Sequence, residues 1–159
     1  MTSSEEIKYK TFLLLTLFVS IFSYSQEVVV GKINPIQGNA ILIESKNEQG
    51  QPSIFRLQYQ NKTNGNGEDH KIISFSANQA EFDFLFDQIK EVFRIKEEKT
   101  LLLDKSVKVT LRLITNTDLN FIVYQDEVKQ GAFSTSATGF HLLFGMPWDK
   151  QAWSTYLKQ

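Results

Sequence analysis

Residues 71–96 read KIISFSANQAEFDFLFDQIKEVFRIK, and the hydrophobic period changes inside this stretch. Lys71 to Ser76 is a short run rich in β-branched and aromatic residues, the composition of a strand. Beyond it Phe82, Leu85, Phe86, Ile89, Val92 and Phe93 recur at helical spacing and share one face. Asn78 followed by Glu81 has the form of a capping box, with Ser76 and Gln79 as a second candidate start. The pattern predicts a strand leading into a helix over 78–96.

Working outward, three further strand-like runs precede this pair: Val28 to Val30, Ala40 to Glu44 and Ile54 to Tyr59. Turn formers separate them at Asn34-Pro35, at Asn47 to Pro52 and at Asn64-Gly65-Asn66-Gly67. Downstream the plan recurs. Leu101 to Leu103 is a short apolar run, and Val107, Val109, Leu111 and Leu113 alternate with polar residues as in a strand with one wet face. Asn120 to Gln125, a turn near Gln130-Gly131 and a strand from Gly139 to Phe144 follow. A closing helix is expected to start near Pro147, with Trp148, Ala152, Trp153, Tyr156 and Leu157 as its apolar positions.

Landmarks of the two halves pair at a nearly constant offset: Val28 with Leu101, Ile41 with Leu111, Tyr59-Gln60 with Tyr124-Gln125, and Phe82 with Trp153. The expected fold is therefore α+β, a mainly antiparallel sheet with two helices packed on one face. It would be built as a tandem ββββα duplication of residues 26–97 and 98–159. The other face of such a sheet stays wet and free for binding.

The start of the chain speaks to location. Lys8 and Lys10 precede an apolar run, Thr11 to Phe22, which ends in Ser23-Tyr24-Ser25. Charged, apolar and small residues in that order describe a secretory signal peptide cut before Gln26, although Glu5 and Glu6 dilute its basic end. The run is shorter than the roughly 18 apolar residues a membrane span needs, so no membrane span is expected. Residues 26–159 then form a single exported domain, periplasmic or secreted. All but three of the 13 phenylalanines fall in it, an ample supply for a core.

Composition excludes several classes of function. The chain has no cysteine, which rules out disulfides, a thiol nucleophile, a cysteine-held metal and a lipid anchor attached at a cysteine. Its formal net charge is −1 with no basic stripe, which argues against nucleic acid as a partner. Lysine far outnumbers arginine, a bias of AT-rich bacterial genomes.

Candidate chemistry is sparse. His141, in the expected strand Gly139 to Phe144, would face away from Phe140, Leu142 and Phe144, and no adjacent motif supplies a nucleophile or an orienting carboxylate. His70 follows Glu68-Asp69 without the spacing of a zinc site. The loop Asn64 to Asp69 alternates oxygen-bearing residues but lacks the early carboxylates and closing glutamate of a calcium loop. Asn61-Lys62-Thr63 fits a glycosylation triplet that means little in a bacterial chain. Ser134 to Thr138 is read as a polar loop, and neither a hydrolase elbow nor a phosphate-binding glycine loop is present. No catalytic, metal or cofactor residues are assigned, and no cofactor is expected.

Two features mark a candidate partner surface. Phe84 and Ile95 fall on the side of the long helix opposite its apolar stripe, and exposed apolar residues grouped on one face imply contact. Trp148 belongs to an aromatic-rich C-terminus in which Trp153 and Tyr156 are expected to anchor the last helix in the core. The reading is an exported envelope or periplasmic protein of binding or structural type, with an envelope protein as partner. Two alternatives stand beside it. One is a small secreted hydrolase drawing on dispersed residues such as His141, Asp126 or Glu44; the other is a carbohydrate-binding module with aligned exposed aromatics.

Overall fold

The computed structural model describes residues 26–33, 39–47, 50–61 and 69–159. The leader segment, the Asn34-Pro35 turn, Lys62 and Thr63 of the triplet, and residues 64–68 of the glycine-rich loop lie outside the described residues. Eight strands form two antiparallel meanders of four. The first runs β1 (Gln26–Ile33), β2 (Ala40–Lys46), β3 (Ser53–Gln60), β4 (His70–Ala77), and the second β5 (Lys99–Leu102), β6 (Val107–Leu113), β7 (Asp118–Gln125), β8 (Val128–Ser136). Helix α1 (Gln79–Ile95) follows β4, and α2 (Ala137–Leu143) follows β8, so the ββββα plan occurs twice. A short third helix, α3 (Lys150–Tyr156), closes the chain.

Period-two burial builds each sheet. In β3, Phe55, Leu57 and Tyr59 are buried while Arg56, Gln58 and Gln60 are half-exposed. The capping box starts α1: Asn78 Oδ1 accepts from the Glu81 amide at 3.0 Å, and Glu81 Oε2 accepts from the Asn78 amide at 2.8 Å. Lys96 ends it in the left-handed region at φ 59°. The predicted stripe is the buried face, since Phe82, Phe86, Ile89, Val92 and Phe93 all point inward.

The two units hold one core between them because their helices are exchanged. Helix α1 packs against β6 as well as β4, and α2 packs against β1 and β2 of the first sheet as well as β8. The exchange is reciprocal at the aromatic centre. Phe82 and Phe86 of α1 follow the cap Asn78 at the same spacing at which Phe140 and Phe144 follow the cap Ser136. Phe82 meets Phe144 with ring centroids 5.2 Å apart, and Phe86 stacks on Phe140 at 4.7 Å. Each half thus places its helix over the other's sheet, as an isologous dimer interface would.

Two small residues permit this. A β-bulge lies between Val29 and Gly31, and a Cβ on Gly31 would fall on the carbonyl oxygens of Leu142 and Leu143 at the end of α2. Gly145, at φ 67°, turns the chain so closely over β1 that a Cβ there would stand 2.7 Å from the Val30 carbonyl oxygen. The sheets also meet at buried Asn61, whose Oδ1 accepts from the Ala132 amide of β8 at 3.1 Å and whose Nδ2 donates to Asp69 at 2.9 Å. Tyr59 packs on Phe133 beside it, at 5.2 Å.

The second half departs from expectation in detail. Residues 139–144 are not a strand: they lie in and just after α2, and the turn before β8 is at Asp126-Glu127, both at positive φ, rather than at Gln130-Gly131. Ser134, Thr135 and Ser136 belong to β8 rather than to a loop. The counterpart of Phe82 is therefore Phe140 and not Trp153, which belongs to the extra helix. That helix begins at Lys150, capped by Asp149, three residues after Pro147.

Candidate functional site

Strand pairing decides which backbone groups are left open. The Asn61 amide donates to the Asp69 carbonyl at 2.7 Å, so 61 and 69 form a hydrogen-bonded pair at the end of the β3–β4 ladder. Stepping by two along β4, residues 71, 73, 75 and 77 aim their main-chain groups at β3. Residues 72, 74 and 76 aim theirs outward. The same logic applies to β5. The Leu103 amide donates to the Val107 carbonyl at 2.8 Å, which puts Leu101 in register with Val109 as a hydrogen-bonded pair and turns the main-chain groups of Thr100 and Leu102 away from β6. Both β4 and β5 are outermost in their sheets.

These two open edges line one groove. A cleft of about 300 Å³ is lined by residues 75–77 of β4, by residues 100–103 in and just after β5, and by Glu81, Phe84, Leu85 and Gln88 of α1. Phe84 is 63% exposed and Leu102 72% exposed, two large apolar side chains on the lining. Deeper in, Phe75, Leu85, Leu101 and Leu103 also line a wholly apolar cavity of the core. Among the described residues Glu81 is the one titratable side chain on the lining, and its carboxylate is engaged by the capping box.

The three residues expected to form a partner surface are placed apart. Phe84 is on the groove. Ile95 ends α1 on the same helix face, about 16 Å further along at 1.5 Å per residue. Trp148 packs instead against His141, with centroids 5.1 Å apart. The groove residues Ser76, Thr100 and Leu102 carry no motif. Their signal is topological, since a four-stranded meander leaves its first and last strands as edges.

His141 lies in an aromatic surround: Phe86 of α1, its neighbour Phe140, Trp148, and Trp153 of α3, all near-perpendicular to its ring at 5.0 to 5.3 Å. Nδ1 is 3.1 Å from the Pro147 carbonyl oxygen, so Nδ1 must carry the proton and donate it. Nε2 is buried without a partner. Burial holds the imidazole pKa below its ordinary value; the Pro147 bond opposes this and the Lys90 ammonium adds to it. Asp126 lies in the β7–β8 turn, and Glu44 accepts from Ser53 Oγ at 2.6 Å. His141, Asp126 and Glu44 thus each keep different company. His70 is exposed at the start of β4. Asp69, beside it, has a lowered carboxyl pKa, chiefly from the Asn61 hydrogen bond and then from Lys71. Trp153 packs on the core, while half-buried Tyr156 sits under Lys90, whose Nζ is 4.4 Å from the ring centre.

Among the described residues no group of three or more histidines or carboxylates could hold a metal ion, and no helix is long and apolar enough to cross a membrane. No protein-family model, curated protein or solved structure matches the chain.

Proposed function

We propose that the chain is an exported, non-catalytic binding protein of the bacterial envelope that captures an extended polypeptide segment of an envelope partner by strand addition in the β4–β5 groove. One observation carries this: two strand edges with outward-facing amides and carbonyls flank one cleft, whose apolar lining comes from Phe75, Phe84, Leu85 and Leu101 to Leu103 and whose polar lining includes Ser76, Glu81, Gln88 and Thr100. Such edges template pairing with another chain unless they are covered or charged. An added strand gains main-chain hydrogen bonds from the edge and selectivity from pockets that take its alternate side chains. Thr100 and Leu102 supply the first, and Phe84, Leu85 and Leu103 the second. The export half of the reading rests on residues 1–25, and intact-mass measurement of protein recovered from the periplasm or medium is expected to show a chain starting at Gln26. A retained leader would overturn it.

The groove is tested with a synthetic decapeptide of alternating threonine and valine flanked by lysines. Backbone amide shifts are expected at Ser76, Thr100 and Leu102 on titration. Leu102→Pro removes an outward N–H without touching the β5–β6 ladder, because proline is tolerated on a free edge. It should weaken binding on the order of ten-fold, the worth of about one hydrogen bond, with little change in stability. Phe84→Asp should weaken it similarly while leaving the melting temperature nearly unchanged. Shifts confined to other surfaces, or full affinity in the proline variant, would refute strand addition here.

A further inference from the structure

We propose that residues 146–156 form a strap held closed by neutral His141 and released when that ring takes a proton. The geometry has three parts. Nδ1 is committed to the Pro147 carbonyl, so the incoming proton can go only to Nε2. Nε2 is buried against the surrounding rings with no acceptor, and a buried N–H on a charged ring without a partner is strongly disfavoured. The strap's own hold is slight, because α3 contains no fully buried residue and belongs to no strand ladder. It is anchored through Met146, Trp148 and Trp153, the last two closing over His141, with the Met146 amide donating to the His141 carbonyl at 2.9 Å and Tyr156 under Lys90. Opening the strap therefore hydrates the imidazolium without disturbing either sheet.

The groups around the ring leave it no counter-charge. Helix α1 presents Phe86 and the Lys90 ammonium, which opposes a second positive charge. Helix α2 presents Phe140, and the 146–149 segment presents Trp148 and the Pro147 carbonyl. The Asp149 carboxylate in that segment is taken up by the amides of Gln151 and Ala152. From α3 comes Trp153, with Tyr156 behind it under Lys90. The sign follows from the lowered pKa. Above the unfolded histidine value of about 6.5 both open and closed forms are neutral, and the strap is closed. Below it the open form binds the proton more readily, so closure is lost as pH falls through the depressed value. On opening, Phe93 loses the cover of Trp153 and the His141 ring loses that of Trp148 and Trp153, which makes a new apolar surface at acid pH.

Trp148 and Trp153 are the only tryptophans, so indole emission reports on the strap alone. Titrated from pH 8 to pH 4, the protein is expected to show a red shift and several-fold stronger acrylamide quenching, with a midpoint below about 6.5 and an unchanged β-sheet circular dichroism signal. His141→Phe should abolish that midpoint. If that variant does not fold, the C2 proton of His141 is followed by NMR in the unaltered chain. A His141 pKa below the ordinary histidine value of about 6.5, coinciding with the emission change, sustains the proposal. A pKa at or above it, an emission change shared with loss of sheet signal, or a midpoint surviving in His141→Phe overturns it.

Discussion

Replacing Gly31 with valine is expected to cost about 3 kcal/mol or more of folding stability, the upper end of overpacking or beyond it. The reason is what would have to move. A Cβ at this position meets the carbonyl oxygens of Leu142 and Leu143, which are main-chain atoms at the end of α2 and not the flexible tips of side chains. Either α2 lifts from β1 or the bulge between Val29 and Gly31 straightens. Straightening slips the register of Gln26 to Val29 against β2 and turns side chains to the wrong face. Against a typical total of about 5–15 kcal/mol this leaves little margin. Urea denaturation followed by circular dichroism measures it. Gly31→Ala should already lower the midpoint clearly, and a valine variant as stable as the parent would mean that α2 does not seat on the first sheet.

Phe140→Ala is the second large effect, about 3–5 kcal/mol, the range for removing a buried phenyl ring. Phe140 is wholly buried and is the hub of the exchanged helices, touching Phe86 at 4.7 Å, Phe144 at 5.3 Å and Phe93 at 6.2 Å. Because its neighbours come from both units, no single element can settle into the void. Phe84→Ala, on an exposed site of the same helix pair, is the control and should shift the urea midpoint scarcely at all. Equal losses from the two substitutions would contradict the burial described for them.

The contrast between α1 and α2 shows what a sequence can reveal. Helix α1 has nearly five turns, a capping box and an unbroken stripe from Phe82 to Phe93, so period and punctuation agree. Helix α2 has about two turns, too few for periods of 3.6 and 2 to be told apart. Phe140, Leu142 and Phe144 alternate as in a strand, yet the inward set is Phe140, Leu143 and Phe144, and Leu142 is exposed. The strand before it was hidden for a related reason. Gly131 and the hydroxyl run at 134–136 have loop composition, but Gly131 is small because Asn61 of the other unit presses against it. That requirement comes from tertiary packing and leaves no local trace. Phe84 was legible as an apolar residue on the wrong side of a helix. Its partners on the groove were not, since an open strand edge is a property of sheet order and not of residue type.

The exchanged helices also bear on the order in which the molecule can be made. The first sheet waits for a cover encoded at residues 137–143, so a nascent chain of four strands and one helix has no closed core to settle into. Sequence-distant closure of this kind slows folding and delays it until residues 137–143 have been made. A chain that stays open until residues 137–143 appear is one that can still be threaded through a narrow pore. If the chain is exported, as proposed, late closure would keep it open enough to be transported.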